Sequence, residues 1–181
     1  MLDLLVVCTG NICRSPAAHL MLAAALDGTV AVSSAGTRAV VGAPVAEPVA
    51  RRLSDVGVAP VPFAARALTR SLVDESDVVV TMTATHRAAV LELAPGALRR
   101  TFLLTELVAL AEHTPAQSPR EAGDAARLRA VVASAGRTRA ALGGARAADV
   151  EDPYGRPEDV HSRVFAHVRE QVAGLTAALR G

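Results

Sequence analysis

Apolar residues in this chain recur in short runs that alternate with segments of helical periodicity. Residues 2–7 form a nearly continuous apolar run, which is typical of a strand buried on both faces of a parallel sheet. Residues 77–81, with three consecutive valines, repeat this pattern. Further strands are predicted at residues 29–34 and 101–104, and helices at residues 17–26, 47–56 and 84–93. This alternation indicates an α/β layer fold with a parallel sheet.

The alternation of strands and helices stops after about residue 105. The predicted elements there are a short helix at residues 106–112, a polar loop at 113–123, a helix at 125–141 ended by two glycines, and an amphipathic helix at 157–179. One domain is therefore expected over residues 1–181, with an extended helical and loop insertion at about residues 105–150.

Composition and charge narrow the class of protein. The 19 Lys and Arg residues are balanced by 18 Asp and Glu residues, so the net charge of +1 gives no reason to expect nucleic-acid or membrane binding. The two cysteines, Cys8 and Cys13, lie too close together for a disulfide framework. No apolar segment is long enough for a membrane span, and the first residues lack the features of a signal peptide. A cytoplasmic location is expected.

The segment from Cys8 to Ser15 has the composition of an anion-binding loop. It joins a predicted buried strand to a predicted helix, at the edge of the sheet where ligands bind in open α/β folds. Its backbone N–H groups can form a cradle, and the helix adds the positive end of its dipole. Cys8 in this field is expected to be a thiolate at neutral pH. The alternative is a structural turn with a buried cysteine.

Other residues of this segment suit the same chemistry. The planar guanidinium of Arg14 matches two phosphate oxygens, and the Ser15 hydroxyl can donate a hydrogen bond to the sulfur. Ser15 is also expected to cap the helix, with Pro16 at its first position. Gly10 and Asn11 are residue types that tolerate the positive φ of a tight loop.

Phosphoryl transfer through a cysteine also needs a proton donor for the leaving oxygen, and Asp152 is the candidate. Asp152 and Pro153 are predicted to form a rigid turn before the last helix, because proline disfavours helix for the residue before it. The alternative is an ordinary turn, since spacing along the chain does not establish that Asp152 approaches Cys8.

Two ordered segments, residues 7–16 and 152–154, resemble the signatures of low-molecular-weight protein tyrosine phosphatases of the bacterial type. Residues 33–37, 65–69 and 77–82 resemble the intermediate blocks of that family. The resemblance implies a three-layer α/β fold, with a four-stranded parallel twisted sheet, helices on both faces and a phosphate-binding loop after strand 1. It implies a phosphotyrosine-protein phosphatase that forms a phosphocysteine intermediate without a metal or cofactor.

The resemblance also assigns roles to residues. Cys8 is the nucleophile, Arg14 stabilises the transferring group, and Asp152 acts first as acid and then as base. Ser34 supports the loop. The phosphate-binding loop itself comprises Thr9, Gly10, Asn11, Ile12, Cys13 and Ser15.

The sequence departs from the family pattern at several positions around the expected cleft. Phe63 stands where the family often has a histidine that supports the loop. Val40 and Val41 occupy the region in which many members have a large aromatic residue, and Tyr154 is followed by glycine rather than by a second aromatic residue. The cleft is therefore expected to be shallower, with Val40, Val41 and Tyr154 as its walls.

The expected partner is a phosphorylated protein that carries phosphotyrosine. The loop containing Val40 resembles that of bacterial members paired with tyrosine kinases of capsule or exopolysaccharide export, so such a kinase is the preferred substrate. No nucleic acid is expected as a partner, and a monomer is expected.

Three other functions are compatible with the sequence. A small-thiol-dependent arsenate reductase of the same fold needs one cysteine, but usually has glycine before the arginine and lacks an acid such as Asp152. A protein arginine phosphatase has threonine where this chain has Ile12, and a hydroxyl there could orient a guanidinium. A non-catalytic phosphate-binding module would not need a thiolate at Cys8.

Cys13 allows two interpretations, a small residue that packs the loop or a redox partner that forms a disulfide with oxidised Cys8. The five histidines are scattered without metal-ligand spacing, and surface or capping roles are predicted for them.

Overall fold

Four parallel strands form the centre of the protein, as the sequence predicts. The computed structural model describes residues 1–59, 61–114, 123–142 and 147–181. The strands are β1 (Leu2–Cys8), β2 (Val30–Gly36), β3 (Val78–Thr81) and β4 (Thr101–Leu103). They lie in the order β2-β1-β3-β4, and the register pairs Cys8 with Gly36 and Val7 with Thr81. The carboxyl ends of β1, β2 and β3 therefore meet at one edge of the sheet.

Helices cover both faces of this sheet. They are α1 (Arg14–Ala25), α2 (Glu47–Asp55), α3 (Arg70–Asp74), α4 (Ala84–Leu93), α5 (Leu104–Glu112), α6 (Gly123–Leu142) and α7 (Glu158–Arg180). Leu4 and Val6 of β1 point to the face packed by α1, α5 and α7, whereas Leu5 and Val7 point to the face packed by α3 and α4. Because β1 is buried on both faces, its sequence is apolar at nearly every position. The layered α/β fold is confirmed.

Two short elements were not predicted from the sequence. Helix α3 begins after Thr69, whose Oγ1 accepts a hydrogen bond from the Leu72 N–H at 3.3 Å. A 3₁₀ helix spans Pro95–Arg100, where the sequence predicts only the end of the preceding helix. Both elements are too short to carry a clear hydrophobic period.

Helix α6 lies within the predicted insertion and packs against α5 and α7. Its first turn is fastened to the loop before β2, because the backbone N–H groups of Asp27 and Asp124 each donate to the other's carboxylate at 2.8 Å. The predicted end of this helix at residues 143–144 and most of the loop predicted at 113–123 lie outside the described residues. Within the described part of the chain, every helix is too short or too polar to cross a membrane.

Candidate active site

The segment between β1 and α1 leads from the carboxyl end of β1 into the amino-terminal end of α1. Cys8 is the last residue of β1, and α1 begins at Arg14, with Cys13 as the residue before the helix. The first N–H groups of α1 have no partner within the helix, so this end carries partial positive charge. The predicted cap at Ser15 is wrong, because the helix starts at Arg14, two residues before the predicted first helical residue, and the Ser15 hydroxyl is bonded elsewhere. Pro16 is accordingly the third helical residue.

Asn11 holds the loop in shape from its centre. It is completely buried and has a φ of 54°, so the left-handed residue of the loop is Asn11 and not Gly10. Its Oδ1 accepts from the Arg66 backbone N–H at 2.9 Å, which fixes the orientation of the side-chain amide. Its Nδ2 then donates to Ser15 Oγ at 3.0 Å and to Ser34 Oγ at 2.9 Å. The expected supporting residue Ser34 is thus bonded to the loop directly.

These bonds determine what the Ser15 hydroxyl can do. Ser15 Oγ accepts a hydrogen bond from Asn11. The Ser15 hydroxyl hydrogen is therefore free to form a hydrogen bond to Cys8 Sγ, which lies 2.9 Å away. A hydrogen bond of this kind stabilises a sulfur anion more than a neutral thiol. The contact is buried, and therefore water does not compete for the sulfur at this point.

His19 supplies a contact that the sequence did not predict. Its Nδ1 lies 3.2 Å from Ser34 Oγ, and its ring lies against the ring of Phe63 with 6.1 Å between centroids. Burial and the nearby Arg66 charge lower the pKa of His19, so the ring is neutral and can accept the Ser34 proton. A chain of hydrogen bonds therefore runs from His19 to Ser34 and through Asn11 to the loop, although residue 63 is not a histidine.

The segment after β2 runs beside the loop and leaves no room for a side chain at Gly36. A Cβ there would lie 2.5 Å from the carbonyl oxygen of Thr9. The backbone N–H groups of Arg38 and Val40 donate to the carbonyls of Thr9 and Gly10 at 2.9 and 3.0 Å. Glycine is therefore required at position 36 for this close approach.

Arg14 is 4% exposed and held by three contacts. Nη1 donates to the carbonyl of Val150 at 3.0 Å. Nη2 donates to Thr9 Oγ1 at 3.3 Å and lies 2.5 Å from Asp152 Oδ2. These contacts join the loop after β1 to the segment before α7.

The segment that carries Asp152 is fastened to the sheet edge by its backbone. The Val150 N–H donates to the carbonyl of Met82 at 2.8 Å, just beyond β3. The Asp149 carboxylate accepts from the Ala84 N–H at 2.8 Å, and Asp152 Oδ1 accepts from the Tyr154 N–H at 3.1 Å. These bonds bring Asp152 to the same cleft as Cys8, which spacing along the sequence left open.

The cleft between these segments has a volume of about 190 Å³. Its lining residues are Cys8, Thr9, Gly10, Ile12, Cys13, Arg14, Arg38, Val40, Asp152 and Tyr154. Val40 and Tyr154 form walls as expected, whereas Val41 is 71% exposed and does not line the cleft. Helix α6 contributes no residue to this lining, so its described part does not cover the cleft.

Cys13 faces the same cleft as Cys8, and neither residue is in a disulfide. Burial, together with the negative charges of Cys8 and Asp152, raises the pKa of Cys13 to about 11. Cys13 is therefore a neutral thiol at physiological pH, and it does not compete with Cys8 as a nucleophile.

His86 is the second histidine that the sequence gave no reason to place here. It is the third residue of α4 and is buried, and its Nε2 lies 2.9 Å from Thr9 Oγ1. The only signal available was indirect: Thr83 caps a helix that begins directly after β3, the strand beside β1. A residue in the first turn of that helix is close to the loop after β1.

Proteins of known family are similar to this chain in sequence. The low molecular weight protein-tyrosine-phosphatase Etp of Escherichia coli (strain K12) is 38% identical over 101 residues, which are 56% of this chain and 68% of Etp. The probable low molecular weight protein-tyrosine-phosphatase EpsP of Ralstonia solanacearum is 36% identical over 104 residues, which are 58% of this chain and 71% of EpsP.

Solved structures share the fold. The YwlE arginine phosphatase from Geobacillus stearothermophilus has a TM-score of 0.73 at 23% identity, covering 99% of this chain and 94% of YwlE. The Erwinia amylovora tyrosine phosphatase AmsI has a TM-score of 0.70 at 24% identity, covering 98% and 93%. Because both an arginine phosphatase and a tyrosine phosphatase share this fold, structural similarity does not distinguish between these two substrates.

The family model described as low molecular weight phosphotyrosine protein phosphatase matches residues 3–143. The match includes the loop from Cys8 to Ser15 and ends before Asp152, whose place in the site rests on the geometry above. The resemblance of the motifs, the fold and this match agree. The chain belongs to the low molecular weight phosphotyrosine protein phosphatase family, and it is a cysteine-dependent hydrolase.

Proposed function

We propose that this enzyme hydrolyses phosphotyrosine in proteins through a phosphocysteine intermediate on Cys8. The observation that carries the proposal is the arrangement of one cleft: a sulfur that accepts a hydrogen bond from Ser15, at the amino-terminal end of α1, beside Arg14 and Asp152. A nucleophile, a cation for the phosphoryl oxygens and a proton donor are the groups that this reaction needs.

The first step transfers the phosphoryl group to sulfur. The phosphate dianion binds to the loop N–H groups and to Arg14, taking over part of the interaction that Arg14 makes with Asp152. Cys8 Sγ attacks phosphorus, the bond to the tyrosine oxygen breaks, and Asp152 gives its proton to that oxygen.

The second step releases phosphate. Asp152, now ionised, takes a proton from a water molecule as the water oxygen attacks phosphorus. The bond between phosphorus and Cys8 Sγ breaks, and the sulfur leaves as a thiolate that Ser15 stabilises through its hydrogen bond. The products are inorganic phosphate and the enzyme in its starting state.

The walls of the cleft favour an aromatic substrate over a guanidinium. Ile12 and Val40 present apolar side chains, and Tyr154 adds a ring that is 70% exposed at the mouth of the cleft. A phosphotyrosine ring can pack against such walls, whereas a phosphoarginine guanidinium needs hydrogen-bond acceptors that Ile12 does not offer. Tyrosine is therefore the preferred substrate, with arginine as the second candidate on the same fold.

The purified enzyme is expected to prefer a phosphotyrosine peptide over the matching phosphoserine and phosphoarginine peptides by about a hundredfold in kcat/KM, because a phosphoserine cannot place its phosphate at the base of the cleft while its chain packs on the walls. Released phosphate measures all three reactions. In the same preparation, arsenate with a small thiol is expected to give no arsenite. Faster hydrolysis of phosphoarginine, or arsenate reduction, would contradict the assignment.

For the cellular substrate, we propose a phosphorylated protein, with a tyrosine kinase of polysaccharide export as the preferred candidate. The support is the resemblance of the loop around Val40 to the corresponding loop of bacterial family members. We also propose that residues 1–181 act as one phosphatase domain, in which α6 stabilises the side of the sheet away from the cleft through its bonds to Asp27.

We propose a redox role for Cys13 as well. Peroxide converts the Cys8 thiolate to a sulfenic acid, and attack by Cys13 sulfur on Cys8 sulfur then forms a disulfide and releases water. The Cys8 charge is one cause of the raised Cys13 pKa, so its removal on oxidation makes Cys13 easier to ionise.

Activity lost to peroxide is expected to return with dithiothreitol in the wild type and to remain lost in Cys13→Ser, because an unprotected sulfenic acid is oxidised further. Residual aryl phosphatase activity after reduction measures this, and peptide mass spectrometry identifies the disulfide. Equal recovery of the two proteins would assign Cys13 to packing alone.

A further inference from the structure

The contact between His86 and Thr9 has no place in the two chemical steps above. His86 is 5% exposed and sits beneath the loop, with Nε2 2.9 Å from Thr9 Oγ1. Its other ring nitrogen, Nδ1, is buried and has no hydrogen-bond partner among the described residues. Of its two ring nitrogens, only the one directed at Thr9 is used.

His86 is neutral in this position. Burial and the positive charge of Arg14 lower the pKa of His86 to about 4, against the opposing effects of Asp152 and Asp149 and with a smaller contribution from Arg38. A neutral ring can bond the Thr9 hydroxyl through Nε2 in either tautomer. In both cases a lone pair of Thr9 Oγ1 remains for the hydrogen bond that Arg14 Nη2 donates at 3.3 Å.

Thr9 is therefore one of two fixed supports of the Arg14 guanidinium. The Val150 carbonyl holds Nη1, while Nη2 is shared between Thr9 and Asp152. In the proposed mechanism a bound phosphate dianion takes over part of the contact between Arg14 and Asp152, and Asp152 turns to the leaving oxygen to protonate it, so Asp152 does not keep the guanidinium in place during the reaction. That leaves the Thr9 hydroxyl as the lasting contact on Nη2, and the hydroxyl is itself oriented by His86.

We propose that His86 is a positioning residue for the phosphoryl transfer, acting through Thr9 to hold the plane of Arg14. The inference rests on the proposed role of Arg14 in binding the phosphoryl group. Its consequence is specific: the orientation of a planar donor matters most when charge spreads over the equatorial oxygens of the transferring group. Loss of His86 should weaken the binding of the transition state more than the binding of the substrate.

The test compares His86→Ala, His86→Gln, Thr9→Val and the double variant His86→Ala/Thr9→Val, using para-nitrophenyl phosphate as substrate. His86→Ala and Thr9→Val are each expected to lower kcat about tenfold with little change in KM. Each variant loses one hydrogen bond of the pair that holds the Arg14 guanidinium through the Thr9 hydroxyl. Inhibition by vanadate, which resembles the transition state, should weaken by the same factor, and inhibition by inorganic phosphate should hardly change.

Two further comparisons complete the design. The double variant is expected to be no slower than either single variant, because both changes remove the same support. A glutamine amide can reach the place of Nε2, so His86→Gln should recover most of kcat. His113→Ala, at the end of α5 and outside the cleft, is the matched control and should behave as the wild type, with thermal unfolding recorded for every variant.

Several results would overturn the inference: an unchanged kcat in His86→Ala, additive losses of kcat in the double variant, or equal weakening of inhibition by phosphate and by vanadate. A glutamine variant as slow as the alanine variant, with unchanged thermal unfolding, would also do so. Failure of the proposed function is a separate outcome, because it would appear in the wild type as an absence of hydrolysis, before any variant is compared.

Discussion

Replacement of Cys8 by serine is expected to lower kcat/KM for aryl phosphates by about four orders of magnitude or more. The serine oxygen would occupy nearly the same place between the Ser15 hydroxyl and the end of α1. An alcohol in that environment keeps its proton at neutral pH, however, so the attacking atom would be a weak nucleophile. Steady-state hydrolysis of para-nitrophenyl phosphate measures the loss directly.

Cys13→Ser is the matched control for this substitution. Cys13 lines the same cleft, but its raised pKa of about 11 keeps it neutral, and it is expected to retain most of the wild-type rate. Inorganic phosphate should still bind to Cys8→Ser, because the loop N–H groups and Arg14 remain. Retained turnover in Cys8→Ser, or equal losses in the two variants, would remove Cys8 from the mechanism.

Replacement of Asp152 by asparagine is expected to lower kcat by about 10²- to 10⁴-fold, the range that one general acid contributes. The size of the loss should depend on the leaving group. The phenolate of tyrosine is a poor leaving group and needs the proton, whereas para-nitrophenolate is stable without it. We therefore expect a much larger loss with the phosphotyrosine peptide than with para-nitrophenyl phosphate in the phosphoryl-transfer step.

Glu151→Gln is the control for this prediction. Glu151 is the neighbouring acid, but it forms an exposed ion pair with Arg163 at 2.8 Å and does not line the cleft. Removal of the Glu151 charge is expected to leave the hydrolysis of both substrates unchanged, because exposed ion pairs of this kind contribute little to stability. A loss of kcat/KM in Asp152→Asn that is the same for both leaving groups would indicate that Asp152 acts only through its bond to Arg14.

The first part of the site could be predicted because its information is local. An apolar run identifies β1 as a strand buried on both faces, and a cysteine and an arginine at either end of a tight loop define the anion cradle. The structure places Cys8 and Arg14 at these two ends, as the sequence indicated. Local reasoning failed for Ser15, because a hydroxyl after a loop resembles a helix cap until its buried partners are known.

The remaining parts depend on contacts between distant segments. Asp152 reaches Arg14 because Val150 pairs with Met82 beyond β3, and no pattern near Asp152 records that pairing. His19 and His86 were expected on the surface or at caps, since a histidine in a helix carries no sign of which loop covers it. His86 is placed by packing of α4 against the loop after β1, and His19 by packing of α1 against β2. The sequence expresses both contacts only through the whole fold.

We expect the sulfur of Cys8 to carry the phosphoryl group during turnover. Rapid mixing of Asp152→Asn with para-nitrophenyl phosphate, followed by denaturing quench and peptide mass spectrometry, tests it directly, because loss of the base should slow release more than formation. We predict a burst of nitrophenolate equal to the enzyme concentration and one phosphoryl group on the peptide that contains Cys8, at Cys8 itself. A phosphoryl group on any other residue, or turnover with none on the enzyme, would exclude Cys8 as the nucleophile.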